Sequence, residues 1–488
     1  MTRHTPTPHR TAALLVTLIA LSMSAPLSAQ EASEEGAPTE PLGYLGLELG
    51  IGQIDEDIFF ATTATAAFEF EVSKVACRGW FPELGSDPPD DCVSPLRLAA
   101  QLPMRLRIGD RDPQDDALIR AEDWDEAAEF MRVVRLAEYG VPEDPLYARA
   151  GELSGVILGH GTIMNRYYNV IDVDHYQLGI NSNVNSRYGG AQLMLDNVAD
   201  PTVFGGRVYV QPVELASPGS WWSRYTVGAT MVLDIHAPLT FERVDASVDL
   251  NQPNRVDDQN NLIARTSSVT GVVGIDNALE LVKTELVDFT PYLDLNAHLD
   301  GDPGLHLGAL VDIRASEDFR LKPRMEVRWL GRQYLPEYFG SLYEVERDAF
   351  FAWNGAERPK LKVLRDELDT GVAYGGAGEL TMVLWQRAEL TLGYADHEGP
   401  NNTSALARLR VRRVGPANLG LYYRQVGFNG MDDLLEFDNA LLVTEVRYPV
   451  VDWLYLLGQY GRQWRLQQSG RYETVHDWQI GAGSAVTF

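Results

Sequence analysis

The chain has 488 residues, of which 45% are hydrophobic, 10% aromatic and 23% charged; 41 Lys and Arg stand against 69 Asp and Glu, for a formal net charge of −28. The apolar fraction excludes an acidic disordered chain, and two cysteines exclude a disulfide-framework protein. The negative balance excludes a nucleic-acid binder, because neutralising phosphates needs a cationic surface.

Residues 1–29 read as an export signal. Arg3 and Arg10 precede AALLVTLIALSM at 12–23, an apolar run long enough for a signal core and too short to span a bilayer as a helix. Small residues place the cleavage after Ala29, and residues 30–42 read as a flexible N-terminal segment. Beyond residue 30 no stretch has the apolar length of a membrane helix. An exported chain of this kind is secreted, periplasmic or embedded in a membrane in a non-helical way. In lipid, the only non-helical structure that satisfies every backbone group is a closed barrel.

Residues 43–72 fit one interrupted strand or a hairpin around Gln53–Asp57. Cys77 and Cys92 enclose a short polar segment. In an oxidising compartment they are expected to form a local disulfide on an extracellular loop, contributing about 3 kcal/mol. Residues 117–139 carry helical spacing and predict an amphipathic helix, either a surface element, a plug or a docking piece. Acid clusters such as Asp110, Asp112, Asp115 and Asp116 lack the EF-hand pattern and read as solvated loop acids. At an outer surface they could share divalent ions with lipopolysaccharide. No metal or cofactor site is expected.

LGHGTIMNRYYN at 158–169 holds His160, with Ser154 upstream. A nucleophile needs a base within hydrogen-bond reach. Six residues along a strand separate the two by about 20 Å, so direct contact within one strand is excluded. No GxSxG or HExxH motif is present. No catalytic residue is therefore assigned, and the glycines read as a place where a strand bends or meets another backbone.

From residue 289 onward a period of two dominates. Phe289, Pro291, Leu293, Leu295 and Ala297 oppose Thr290, Tyr292, Asp294, Asn296 and His298. Phe319, Leu321, Pro323, Met325, Val327 and Trp329 oppose Arg320, Lys322, Arg324, Glu326 and Arg328. Ala405, Ala407, Leu409 and Val411 oppose Leu406, Arg408, Arg410 and Arg412. Strands place successive side chains on opposite faces, so each segment has an apolar and a charged face. Connections alternate too: tight at 315–318, 385–387, 415–418 and 449–452, longer at 333–367, 396–403, 427–438 and 467–472. A soluble sandwich reproduces the alternation of residues but not that of the connections, which is the mark of a membrane barrel.

The last fifteen residues, TVHDWQIGAGSAVTF, put Trp478, Ile480, Ala482, Ser484, Val486 and Phe488 on one face. This segment resembles the C-terminal signature of bacterial outer-membrane barrels. Over residues 43–488 the pattern resembles porin-like proteins of Gram-negative bacteria, without a subfamily motif. The resemblance implies that Phe488 is read by the barrel assembly machinery and that the barrel sits among outer-membrane lipid and lipopolysaccharide. The expected architecture is all-β: a transmembrane, antiparallel, up-and-down barrel of about sixteen to eighteen strands, with one or two short helices in loops.

Charges cannot face lipid cheaply, so the ionic face is expected to look inward. Asp294, Asp312, Arg320, Lys322, Arg324, Glu326, Arg328, Arg408, Arg410 and Arg412 are the expected pore lining. A barrel of that size leaves a channel, which points to passage of small hydrophilic solutes. Two other readings stand beside it: a lipid-active outer-membrane enzyme, and a structural or adhesive barrel with a closed interior.

Overall fold

A strand with one greasy and one ionic face must separate two media. A computed structural model describes residues 42–54, 57–74, 93–109, 118–120, 123–124, 129–170, 176–244, 254–257, 260–350, 358–368, 371–399, 402–414, 417–435, 439–467 and 469–487. In it, twenty strands meet that demand by closing into one antiparallel up-and-down barrel.

The first half of the wall holds β1 (Leu42–Ile54), β2 (Asp57–Ser73), β3 (Val93–Gly109), β4 (Val134–Tyr139), β5 (Leu146–Gly151), β8 (Gly179–Ser186), β9 (Gly189–Leu195), β10 (Val203–Val210), β11 (Tyr225–Phe241) and β12 (Ala264–Leu279). The second half holds β14 (Val287–His298), β15 (Pro303–Ser316), β16 (Phe319–Leu330), β17 (Ala373–Leu384), β18 (Ala388–His397), β19 (Thr403–Val414), β20 (Ala417–Phe428), β21 (Ala440–Val451), β22 (Leu454–Leu466) and β23 (Tyr472–Thr487). Three short strands stand outside this ring. β6 (Ser154–Val156) and β7 (Tyr167–Tyr168) pair with each other, and β13 (Val282–Lys283) extends the edge of β14. The ring closes between its first and last strands, with Tyr44 opposite Thr487 and Gln53 opposite Trp478.

The count is twenty, not sixteen to eighteen. The uncounted strands lie before residue 200, where β4, β5, β8 and β9 are only six to eight residues long. Residues 43–72 take the hairpin option, since Ile54 pairs with Asp57. The amphipathic helix expected over 117–139 does not form among the described residues. Ile119 bridges to Leu106, Glu129–Val133 is a single 3-10 turn, and Val134–Tyr139 is β4, paired on both sides. Helical spacing there loses to the edge of β3, whose backbone groups need a ladder partner in lipid.

The two ends of the barrel differ. At the end that carries the chain termini, the connections at 140–145, 187–188, 317–318, 385–387 and 452–453 are short. At 385–387 the turn has φ of +52° and +53° at Trp385 and Gln386, and Arg387 N–H donates to the Leu384 carbonyl at 3.0 Å. Positive φ at both central residues gives the mirror-image turn that matches strand twist. The opposite end carries the long excursions at 110–133, 152–178, 242–263, 331–372 and 429–439. Cys77, Cys92 and Phe488, like residues 1–29, lie outside the described residues. The strands flanking the cysteines meet at Ser73 and Val93, at the end with the termini, opposite to the placement expected from the sequence.

The outer face is apolar. Along β16, Met325, Val327 and Trp329 are 67%, 60% and 53% exposed, while Glu326 and Arg328 between them are 4% and 5% exposed. Exposed Trp221, Trp222, Trp385 and Trp453 ring the terminal end, and Trp329 stacks on Tyr374 at 5.8 Å near the other. These are the positions of interfacial girdles. Twelve-residue strands rise about 40 Å along their axes, so at a tilt of about 40° they reach roughly 30 Å, enough for a bilayer core. Among the described residues no helix is long and apolar enough to cross a membrane.

The largest apolar core is inside the barrel. Leu153, Ile163, Met164 and Tyr167 from the 152–178 excursion meet Tyr338, Phe339, Tyr343, Leu361 and Leu364 from the 331–372 excursion. Both pack on Val203, Val232 and Val272, which look inward from β10, β11 and β12. One sector of the inner wall is therefore greasy and covered, while the remainder is ionic.

Candidate functional site: the lumen and its constriction

The inward excursions enter the lumen because the wall is low where the first of them starts. β5 ends only six residues above its turn, so the chain leaves the sheet at mid-height. Gly151 makes that exit with φ +144°; a Cβ there would lie 2.6 Å from the Arg135 carbonyl oxygen. Re-entry is at Gly179, where a Cβ would fall 2.5 Å from Leu153 Cγ. The second excursion adds α1 (Tyr343–Glu346) and α2 (Lys360–Asp366), the latter's buried Leu361 and Leu364 joining the plug core.

The two excursions are stitched together by backbone. Phe339 N–H donates to the Ile163 carbonyl at 3.2 Å, Asn165 N–H to the Phe339 carbonyl at 3.2 Å, and Glu337 N–H to the Thr162 carbonyl at 3.1 Å. Side chains then tie the pair to the wall. His160 Nδ1 lies 2.8 Å from one oxygen of Asp294, and Thr162 Oγ1 donates to the other at 2.8 Å. The His160 ring stacks on Tyr292 at 4.4 Å. Arg166 reaches Glu379, Arg328 donates to Glu337 at 2.6 Å, and Arg365 to Asp300 at 2.6 Å.

A third junction is acidic. The Tyr167 hydroxyl donates to Glu344, and Arg347 lies 3.2 Å from Asp234. Burial pushes the Glu344 carboxyl up to about 8, with the Arg347 guanidinium opposing the shift and Asp196 reinforcing it. A carboxyl raised in this way keeps its proton in the folded state from about pH 4.5 to 8, where the unfolded chain has lost it. Its contribution to stability is therefore greatest at low pH and declines as pH rises through that window.

Between this constriction and the terminal end lies a cavity of about 750 Å³. Seven of the ten sequence-expected pore residues line it: Asp312, Arg320, Lys322, Arg324, Arg408, Arg410 and Arg412. The ladder explains their convergence. Lys322 pairs across β17 at Thr381, which pairs with Thr391, which pairs with Arg408, so inward positions of β16 and β19 share one level. Adding Arg149 and Arg166, eight basic side chains face four acids, Asp288, Asp312, Glu379 and Glu389. Arg320 is paired with Asp312 at 2.7 Å, whereas Lys322 makes no ion pair among the described residues. The chamber is cationic inside a chain of net charge −28.

The other three, Asp294, Glu326 and Arg328, look inward but are buried beneath the excursions. Asp294 is the anchor of His160 and Thr162. Glu326 accepts from Tyr292 Oη at 2.6 Å, Arg324 at 2.9 Å and Arg328 Nε at 2.5 Å, with His306 Nδ1 at 2.9 Å. Arg149, Arg166, Glu337 and Glu344 are residues that sequence reasoning missed. The pair tested for nucleophilic chemistry is not assembled: the partners of His160 are Asp294 and Tyr292, and Ser154 is not among them.

The fold and lumen together define a closed, charged-lumen membrane barrel. No family model matches the chain, and no curated protein matches it. Among solved structures, the outer membrane protein OpdK from Pseudomonas aeruginosa aligns at 10% identity and a TM-score of 0.33, over 92% of this chain and 99% of that one. OccK5 (OpdH) from the same organism aligns at 9% identity and 0.33, over 93% and 100%. OccAB4 from Acinetobacter baumannii gives 10% and 0.32, over 92% and 99%.

Proposed function

We propose that the chain is a channel of a Gram-negative outer membrane that passes small hydrophilic solutes and favours anions. In this reading residues 1–29 direct export, the terminal Phe488 engages the barrel assembly machinery, and the long excursions face lipopolysaccharide. The observation that carries it is the chamber of about 750 Å³ lined by eight basic and four acidic side chains, set beneath a constriction made by two inward excursions. A low-dielectric cavity lined mainly by one sign of charge concentrates counter-ions and filters by charge.

Reversal potentials across planar bilayers under a salt gradient test this reading. The wild-type channel is expected to prefer chloride over potassium, and the combined Arg408→Ala, Arg410→Ala and Arg412→Ala variant to lose most of that preference. Folded protein that carries no current at any voltage, or a cation preference in the wild type, contradicts it.

A further inference from the structure

The barrel interior holds a second cavity, of about 580 Å³, against the wall from β22 through β23 and β1 to β3. The inward side chains there are short: Ala61, Thr63, Thr65 and Ala67 on β2, and Ala99 on β3. Its volume falls within the roughly 300–1,000 Å³ typical of small-molecule sites.

Its electrostatics differ from those of the first chamber. The guanidinium groups at its edge are paired: Arg97 with Glu69 and Glu138 at 3.2 Å each, Arg105 with Asp123 at 2.6 Å, and Arg447 with Glu445 at 2.6 Å and Glu48 at 3.4 Å. Arg135 is paired with Glu152. The Tyr455 hydroxyl donates to Glu48 at 2.6 Å, leaving the phenol ring as a flat wall beneath Arg447. An anion entering this space loses hydration and finds the guanidinium groups already engaged, which is unfavourable.

Besides the exposed Asp452 carboxylate, the lining carries the amides of Gln101, Gln459 and Gln479. Gln101 and Gln479 line the cavity and are each 6% exposed, and neither side chain spends its amide on a hydrogen bond to a described residue. Gln459 gives its amino group to Glu445 at 3.0 Å. Each amide offers donors and an acceptor together, which is the complement of a hydroxyl.

We infer that this cavity is a second solute chamber, selective for neutral, polyhydroxylated molecules of mono- or disaccharide size, held by Gln101, Gln479 and the Tyr455 ring. The inference rests on the channel reading and adds a substrate class that the cationic chamber does not serve. Solute hydroxyls pair with the Gln101 and Gln479 amides, and the paired guanidinium groups offer an entering anion no counter-charge.

Maltose is the test probe. Added to single channels of the full-length protein, it is expected to lower the ion current in a saturable way at millimolar concentration. Gln101→Leu and Gln479→Leu together should raise the half-blocking concentration at least tenfold, and the corresponding Asn variants should restore part of the block. A maltose effect no greater than that of a viscosity-matched glycerol solution, or one unchanged in the Leu variants, overturns the assignment. Should folded protein carry no current, the channel reading fails by itself. Calorimetric titration of the detergent-solubilised barrel with maltose then decides the chamber: Gln-dependent heat supports it, and none refutes it.

Discussion

Replacing residues 155–175 with a short Gly-Ser linker should raise single-channel conductance several-fold. The wall does not depend on this excursion: β5 and β8 pair directly from Leu146–Val184 to Gly151–Gly179. What the excursion supplies is half of the constriction, through the 162–165 and 337–339 backbone ladder and the plug core around Met164 and Phe339. A graded form of the same experiment is Asp294→Ala. It removes the acceptor for both His160 and Thr162, and hydrogen bonds to a charged group contribute about 1.5–3 kcal/mol each. This variant should give current that flickers between the wild-type level and a larger one. Heat-modifiable gel migration checks that the barrel has formed. A correctly folded deletion variant with wild-type conductance would show that the narrow point lies elsewhere.

Removing the carboxylate of Glu326 should be the most destabilising single change in the lumen. Its side chain is fully buried and receives Tyr292, Arg324, Arg328 and His306 together. Glu326→Ala leaves two guanidinium groups in that space with no central acceptor, and breaking a buried pair in this way costs about 3–5 kcal/mol. Glu326→Gln retains an acceptor oxygen and the shape, so its loss should be smaller. Urea unfolding from lipid vesicles, followed by tryptophan fluorescence, measures both. A cost below about 1 kcal/mol for the alanine variant would mean that water satisfies these cations.

The wall was legible in the sequence where each strand has one clean partition of faces. β14, β16 and β19 alternate in that way, and their facing follows from the cost of a charge in hydrocarbon. The connection lengths from residue 315 onward were legible for the same reason, because tight turns carry their own residues and long excursions do not alternate. What failed is the region before 200. β4 and β5 are six residues each, too short to show a period against the helical spacing of 117–139.

The buried plug was hidden for a different reason. Val232 and Val272 face inward, so β11 and β12 are apolar on both sides at Met231–Leu233 and Val272–Val273. A doubly greasy strand in a barrel means that something covers its inner face, and that signal was present. The chemistry of the site was partly legible. Arg320, Lys322, Arg408, Arg410 and Arg412 line the chamber as their face demands. Asp294, Glu326 and Arg328 share that face yet serve as anchors, because period-two reasoning fixes which way a side chain points and not what folds in above it.

A water-filled lumen requires the apolar face of each strand to look outward, and substituted-cysteine accessibility measures that directly. In a background with Cys77 and Cys92 replaced by serine, single cysteines at Lys322, Arg324, Met325 and Val327 are reacted in vesicles with a membrane-impermeant thiol reagent. A lipid-dissolved maleimide is then applied to parallel samples. The cysteines at 322 and 324 should take the aqueous reagent, with modification reducing the ion current, and those at 325 and 327 should take only the lipid-soluble one. The reverse pattern, or aqueous labelling at all four positions, would contradict a lipid-facing apolar belt around a water-filled lumen.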